Sequence, residues 1–90
     1  MTLQFPNPSR SYDPDRHRIR FWGHDNTLEV PFFLEEDALL KLAPNARGSE
    51  ASLLAAFDAA RSRIMEVATA LYSAARGSRR DAVSLTATDF

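Results

Sequence analysis

A run of apolar residues at alternating spacings of four and three constrains this chain more than any other feature. The run consists of Leu53, Phe57, Ala60, Ile64, Val67, Leu71 and Ala74. Because an α-helix completes a turn in about 3.6 residues, this spacing returns an apolar side chain to one side at every turn. The pattern predicts one amphipathic helix from Glu50 to Arg76, with Ser49 as its N-cap and Gly77 just after its C-terminus.

Upstream of this helix the apolar period is two, as in half-buried β-strands. Ile19 and Phe21 share one face of the first stretch, and the opposite face carries Arg18, Arg20 and Trp22. In the second stretch the apolar face consists of Leu28, Val30, Phe32 and Leu34, and the opposite face of Glu29, Pro31 and Phe33. Because both stretches place their apolar residues on one side, the pattern predicts a β-hairpin.

The turn residues between the two stretches predict where the hairpin closes. Closure at Asp25-Asn26 pairs Phe21 with Val30 and Ile19 with Phe32 on the core face. On the other face, the same register pairs Trp22 with Glu29 and Arg18 with Phe33. Aromatic and β-branched partners then meet across the strands on the buried side, which stabilises a sheet.

Shorter elements complete the predicted order. Leu3 to Phe5 is expected to form an edge strand, and residues 7–15, rich in Pro, Asp and Ser, a loop. Glu35, Glu36 and Asp37 favour the start of a short helix that buries Leu39 and Leu42 and stops at Pro44. Residues 82–88 alternate as in a final strand. The order β-β-β-α-α-β predicts a single α+β domain over residues 1–90, with a small antiparallel sheet packed against one long and one short helix.

The long helix carries more apolar surface than a small sheet covers. A second row flanks the first and consists of Leu54, Met65, Ala68 and Tyr72. A helix from residue 50 to 76 would be ~40 Å long, whereas a compact domain of this size has a radius of gyration of ~12 Å. We therefore predict a homodimer with Leu54, Met65 and Tyr72 at its interface. The alternatives are that the helix bends, or that the short helix and the N-terminal segment cover the surplus.

One strand face combines basic and aromatic residues and is the candidate binding face. It consists of Arg16, Arg18, Arg20 and Trp22. Arginines beside an aromatic ring can contact the phosphates and stacked bases of a nucleic acid. The alternative is a solvated sheet face on which Glu29 and Glu35 offset the arginines. A second basic group consists of Arg61, Arg63, Arg76, Arg79 and Arg80. Helical spacing predicts ion pairs of Arg61 with Asp58 and of Arg63 with Glu66.

The sequence lacks the recognisable constellations of catalysis and metal binding. There is no cysteine, and His17 and His24 are not spaced as a local metal pair. The three glycines form no phosphate-binding loop, and no serine has the context of a nucleophile elbow. We therefore expect no catalytic residue, no metal, no cofactor and no enzymatic activity.

A set of short motifs, in a fixed order, resembles a known family. The motifs are Phe5-Pro6, Tyr12-Asp13 with Arg16, Ile19-x-Phe21, Glu36-x-Ala38-Leu39, Phe57-x-x-x-Arg61-x-x-Ile64, Ala68, Tyr72, and Leu85-Thr86-x-x-Asp89-Phe90. On them the chain resembles the bacterial family known as domain of unknown function 1488, over nearly its whole length. The resemblance implies a small bacterial protein with an α+β fold. It implies no activity, so it assigns no catalytic residue.

These observations together favour a binding protein over a catalyst. We expect a non-enzymatic protein-interaction module; the alternative is a nucleic-acid-binding accessory or transcriptional regulator that uses the arginine and tryptophan face. The N-terminal segment lacks the pattern of a secretory signal, and no uncharged apolar run approaches the ~18 residues of a membrane span. The expected location is the cytoplasm, with no membrane partner.

Overall fold

The computed structural model describes residues 3–5, 9–25, 28–75 and 83–90, which form a five-stranded sheet with helices against one face. The strands are β1 (Leu3–Gln4), β2 (Arg10–Asp13), β3 (Arg18–Asp25), β4 (Leu28–Glu35) and β5 (Val83–Leu85). The helices are α1 (Glu36–Leu42), α2 (Glu50–Ala59) and α3 (Arg61–Ala75), and short 3-10 turns span Pro44–Ala46 and Ala87–Asp89. The predicted α+β fold is confirmed.

The β3–β4 hairpin forms the centre of the sheet. Both β1 and β2 pair antiparallel with the edge of β3 that faces away from β4, whereas β5 pairs with β4 in parallel. The sheet is thus largely antiparallel, as predicted, and the pair of β4 with β5 is the exception. The chain passes through α1, α2 and α3 between these two strands, and a parallel pair requires a crossover connection of this kind.

The strand β2 is absent from the predicted order, in which residues 7–15 are a loop. Its backbone pairs with β3 from Arg10 opposite Phe21 to Asp13 opposite Arg18. The composition of this segment is typical of turns, and it forms a strand because the edge of β3 needs hydrogen-bonding partners. The turn residues are real, but they lie in the connection Pro14–His17 between β2 and β3.

The hairpin forms with a register two residues away from the predicted one. Phe21 pairs with Phe32 and Ile19 with Leu34, and the last pair before the turn is Asp25 with Leu28. A shift of two leaves every side chain on its predicted face, because the side-chain period of a strand is two. The observed register stacks the rings of Phe21 and Phe32 with centroids 5.3 Å apart. The turn residues Asn26 and Thr27 lie outside the described residues.

The predicted long helix is divided at Ala60 into α2 and α3. Ala60 has φ −102° and ψ 13°, away from helical values, although its N–H still donates to the carbonyl of Ala56 at 3.0 Å. A straight helix from residue 50 to 76 would measure about 39 Å, which is more than the longest dimension of the molecule, 37 Å. The bend keeps Phe57 and Ile64, one in each segment, fully buried against the sheet. A continuous helix is therefore the wrong prediction, and the bend is the alternative that occurs.

The ends of the helical region agree with the capping pattern where it is described. The Ser49 hydroxyl accepts the N–H of Ser52 at 3.0 Å and so caps α2 as predicted. The last described residue of α3 is Ala75, and the predicted C-terminal Gly77 lies outside the described residues. The final strand ends earlier than predicted, because the Asp89 carboxylate accepts the N–H of Thr86 at 2.7 Å and starts a 3-10 turn.

The core lies between one face of the sheet and the helices. It is built from alternate residues of β3, β4 and β5 and from the helices, and its largest fully buried members are Phe21, Phe32, Phe57, Ile19, Leu34, Leu39, Ile64 and Leu85. We call the sheet surface that faces away from these residues the outer face. It carries Arg18, Arg20 and Trp22 of β3 beside Pro31 and Phe33 of β4.

Candidate binding site on the outer face

The outer face carries the predicted basic and aromatic residues of β3, and Arg16 reaches it from the preceding turn. Arg20 lies opposite Phe33 and Trp22 opposite Pro31 in the hairpin. Arg16 does not lie on the strand as predicted, but in the turn Pro14–His17 that leads into β3. Within the described ranges the helices pack on the core side, so these residues face away from them. Trp22 is half-buried, so part of its ring is accessible to a partner. Tryptophan is one of the residue types that most often anchor an interface.

Two arginines of this face lie over aromatic rings. The guanidinium carbon of Arg18 lies 3.6 Å from the ring centroid of Phe33, and that of Arg20 lies 5.1 Å from the ring of Trp22. A guanidinium over an aromatic face is stabilised by about 0.5–1 kcal/mol at an accessible site. At 3.6 Å, the Phe33 ring covers one flat side of the Arg18 guanidinium, so the N–H groups at its edge are directed away from the ring. Arg20 lies farther from its ring.

A groove runs beside these stacks. Its volume is about 400 Å³, and it is lined by Ser11, Tyr12, Asp13, Pro14, Arg16, Arg18, Arg20 and Phe33. We call it the arginine groove. It collects three guanidinium groups and one carboxylate from β2, the following turn and β3, so the basic groups are in excess.

The arginines of the groove differ from those elsewhere in how they meet carboxylates. Arg16 and Arg18 approach the carboxylate of Asp13 only to 3.7 and 3.8 Å, beyond hydrogen-bond distance. The Nε atom of Arg18 is buried and has no hydrogen-bond partner among the described residues. A buried donor without a hydrogen-bond partner costs free energy, and the Asp13 carboxylate, 3.8 Å from this atom, is too far away to supply one.

Three arginines outside the groove, by contrast, hydrogen-bond to carboxylates. Arg10 donates to both oxygens of Asp58, at 3.0 and 2.7 Å, and Arg61 donates to the same carboxylate at 3.0 Å. Arg63 donates to Glu66 at 2.9 Å. The predicted pairs of Arg61 with Asp58 and Arg63 with Glu66 are confirmed. Hydrogen bonds from Arg10 and, more weakly, Arg61 lower the pKa of Asp58, against an opposing effect of burial. Through Asp58, Arg10 and Arg61 join β2 to the bend of the helix, and these three residues also line a separate open pocket of about 520 Å³.

Tyr12, which lines the groove, also takes part in hydrogen bonds between β2, the turn and α1. The Tyr12 hydroxyl donates to the Glu36 carboxylate at 2.5 Å. That hydrogen bond, with burial and the negative charge of Glu36, raises the pKa of Tyr12 to about 12. His17 adopts a left-handed backbone with φ 53°, and its Nδ1 lies 3.4 Å from the Tyr12 hydroxyl. The carbonyl of His17 accepts the N–H of Glu36 at 2.9 Å, so the start of α1 is held to the turn.

The raised pKa predicts that the protein loses stability in alkaline solution. Above about pH 10 the unfolded chain loses the Tyr12 proton, whereas the folded chain holds it until about pH 12. Deprotonation therefore favours the unfolded state as the pH rises through this window. We expect a Tyr12→Phe variant to lose about 1–2 kcal/mol near neutral pH and to show a shallower alkaline decline than the wild type. Urea unfolding of both proteins across this window measures the difference, and equal alkaline slopes would contradict it.

The residues predicted at a dimer interface lie against the core of their own chain. The Tyr72 hydroxyl donates to Asp25 at 2.9 Å, and its ring meets that of Phe32 edge-on, with centroids 6.3 Å apart. Leu54 and Met65 are half-buried beside the same core. Part of the second apolar row is thus used within the chain. The homodimer remains a prediction.

The described ranges show neither a candidate metal site nor a candidate membrane span. Among those residues no group of three histidines or carboxylates is arranged to hold a metal ion. No helix in the same ranges is long and apolar enough to cross a bilayer.

Comparison with known proteins identifies the family. A family model described as "Protein of unknown function (DUF1488)" matches residues 3–85. The chain belongs to the DUF1488 family. No curated protein and no solved structure matches the chain significantly. The DUF1488 description names no activity, so the arginine groove has to be interpreted from its own chemistry.

Five of the eight residues that line the groove in this DUF1488 protein were not predicted as part of the binding face: Ser11, Tyr12, Asp13, Pro14 and Phe33. Tyr12 and Asp13 lie in the segment predicted as a loop, and Phe33 was predicted opposite Arg18 rather than Arg20. The alternating pattern predicted the face of Phe33 correctly. Only the pairing of β2 with β3, which no local pattern indicates, brings Tyr12 and Asp13 beside the arginines.

Proposed function

We propose that this DUF1488 protein is a non-enzymatic protein-interaction module that binds a segment of a partner protein in the arginine groove. One observation carries the proposal. Arg18 and Arg20 are held over aromatic rings on the outer face, and Arg18 lacks a carboxylate within hydrogen-bond distance in the described part of the chain. Arginine and aromatic residues are the types that most often dominate the binding energy of protein interfaces.

The chemistry of the groove favours binding over catalysis. Its one phenol, Tyr12, has a pKa of about 12 and donates a hydrogen bond to Glu36, so it is poorly suited to act as a nucleophile near neutral pH. The groove lies on a sheet surface and is lined by eight residues with both charged and apolar groups. Such a surface fits an extended segment better than it fits a small substrate, which needs a more enclosed cavity.

A nucleic-acid partner is the second candidate, and the guanidinium–aromatic stacks are what favour it. Acidic residues on the same face oppose it, because Glu35 lies opposite Arg18 and Glu29 opposite His24 in the hairpin. The formal net charge of the whole chain is −1. A long polyanion gains affinity from many cations along its backbone, whereas this groove offers a short basic stretch between acidic residues. We therefore favour a protein segment.

Site-specific photo-crosslinking tests this proposal. A photoreactive residue replaces Ser11, which is exposed at the groove, or Ser62, which is exposed on α3 at the other side of the molecule. Both full-length proteins are irradiated in nuclease-treated native lysate. We expect protein adducts from position 11 that position 62 does not give, and we expect Arg18→Gln with Arg20→Gln to reduce them at least about fivefold, since each arginine makes charge-assisted hydrogen bonds.

A matched variant distinguishes the effect of the groove arginines from the effect of a lower net charge. Arg63→Gln with Arg47→Gln removes the same positive charge from exposed positions outside the groove and should leave the adducts unchanged. Equal adducts from positions 11 and 62 would contradict the proposal. So would adducts to nucleic acid alone, which would favour the second candidate. The cytoplasmic location and the homodimer through Leu54, Met65 and Tyr72 are further predictions, on which this proposal does not depend.

A further inference from the structure

We infer that the arginine groove recognises a segment with two or more neighbouring carboxylates, and that Asp13 weakens this binding by competing for the same arginines. The inference rests on the proposed function and names the chemistry of the partner. It is argued from the position of Asp13 between two guanidinium groups that it does not hydrogen-bond.

The two oxygens of Asp13 have different surroundings. The Oδ1 atom accepts the N–H groups of Asp15 and Arg16, at 3.1 and 3.4 Å, and so holds the turn between β2 and β3. The Oδ2 atom faces the side chains of Arg16 and Arg18, at 3.7 and 3.8 Å. One oxygen is thus committed to the backbone, and this fixes the other at a distance from the arginines. Asp13 places a negative charge in the groove without completing the hydrogen bonds of the guanidinium groups.

The guanidinium donors of the groove indicate which chemical group can bind there. A guanidinium group presents its N–H donors in a planar fork that matches the two oxygens of a carboxylate. Phe33 covers a flat side of the Arg18 guanidinium, which leaves the donor edge as the direction of approach. Arg16, whose side chain is 67 % exposed, reaches the groove from the turn, and Arg20 from the next outward position of β3. Three guanidinium groups therefore line one groove at which carboxylates can bind.

The charge of Asp13 opposes the binding of every anionic segment. A ligand with a single carboxylate gains one charge-assisted contact and is repelled by Asp13. A ligand with neighbouring carboxylates gains contacts with two arginines, although Asp13 repels each of its carboxylates. Removal of the Asp13 charge should therefore strengthen the binding of a segment that carries several carboxylates. The effect is expected to be about two- to fivefold, as for a single pair of accessible charges.

Asparagine at position 13 isolates the charge. The Asn side chain keeps a carbonyl oxygen that can accept the N–H groups of Asp15 and Arg16, so the turn is retained. Asp15→Asn is the matched control: it removes the same charge from the same turn, and the described residues show no ion pair of Asp15 with Arg16 or Arg18. Thermal unfolding of both variants checks that the fold is kept.

The experiment measures the binding of three dye-labelled probes to the full chain by fluorescence anisotropy. The probes are a peptide of alternating glutamate and leucine, its glutamine isostere, and an oligothymidylate of similar length. We expect the glutamate peptide to bind at least about tenfold more tightly than the glutamine peptide, and Arg18→Gln to remove most of that difference. Asp13→Asn should tighten the glutamate peptide about two- to fivefold, and Asp15→Asn should not.

The outcomes separate this inference from the proposed function. Equal binding of the two peptides, or equal effects of Asp13→Asn and Asp15→Asn, would overturn the inference while groove-specific photo-crosslinks still supported a protein partner. Tightest binding by the oligothymidylate, with affinity that falls steeply with salt, would overturn both. Absence of binding by any probe would overturn the carboxylate assignment, and absence of groove-specific crosslinks would separately overturn the proposed function.

Discussion

Replacing Phe57 with alanine should lower the free energy of unfolding by about 3–5 kcal/mol, as the removal of a buried phenylalanine does in well-packed cores. Phe57 is fully buried in α2, just before the bend at Ala60, and its ring centroid lies 5.2 Å from that of Phe21. The substitution removes the contact between the helix and the centre of the sheet and leaves a cavity that the neighbouring rings cannot fill. Urea unfolding followed by circular dichroism measures the loss.

Phe33→Ala is the matched control for this prediction. It removes the same side chain from the outer face, where Phe33 is half-buried beneath Arg18. We expect it to cost about 1–2 kcal/mol, from the lost stack and the smaller apolar area. It should also weaken the binding of the glutamate peptide, because Phe33 lines the groove. Phe57 lies in the core and does not line the groove, so Phe57→Ala should not affect this binding directly. A loss from Phe33→Ala equal to that from Phe57→Ala would contradict the assignment of the two sheet faces.

Replacing Gly23 with valine should lower the free energy of unfolding by about 1–3 kcal/mol, the usual cost of overpacking. Gly23 lies in the middle of β3 on the core side. A Cβ atom there would be 2.9 Å from Phe5, 3.0 Å from Phe32 and 3.1 Å from Leu3. Phe32 is fully buried and has little room to move, so the edge segment that carries Leu3 and Phe5 would have to shift. The absence of a side chain at Gly23 is therefore what lets this segment cover the sheet.

His24→Val is the control for crowding, since it places the same β-branched side chain one residue further along β3, on the outer face. Valine is well accommodated in strands, so we expect a change within about 0.5 kcal/mol. The stability loss of Gly23→Ala should lie between those of Gly23→Val and His24→Val, because its single added carbon makes the same close contacts without a branch. Thermal and urea unfolding order the three variants. An unchanged stability in Gly23→Val would mean that the edge segment does not pack on the sheet as described.

Alternation in the sequence predicts the faces of the sheet but not its pairing. Phe21, Phe32 and Arg18 lie on the predicted faces, although the register differs by two residues. A two-residue shift changes no face, so the hydrophobic pattern cannot distinguish the two registers. The contacts that favour the observed one, such as the stack of Phe21 on Phe32, exist only after the strands have met.

The groove could be predicted in part for the same reason. Arg18, Arg20 and Trp22 are recognisable from the sequence, because they share the polar face of an alternating strand. Asp13 and Tyr12 are not, because β2 becomes a strand only by pairing with the edge of β3. The bend at Ala60 is similarly a result of packing, since neither glycine nor proline lies near it in the sequence. Local patterns therefore predicted most of the elements, but not β2 or the bend, and tertiary contacts determined which residues meet.

Backbone-amide NMR of the full chain during titration with the glutamate peptide tests the central claim most directly. If the arginine groove is the binding surface, the largest shift changes will come from Asp13, Arg18, Arg20 and Phe33, and the amides of α2 and α3 will move little. The indole N–H of the only tryptophan, Trp22, gives an independent signal on the same face. Shift changes centred on α2 and α3, with the outer face unmoved, would contradict the account and place the interaction surface on the helices.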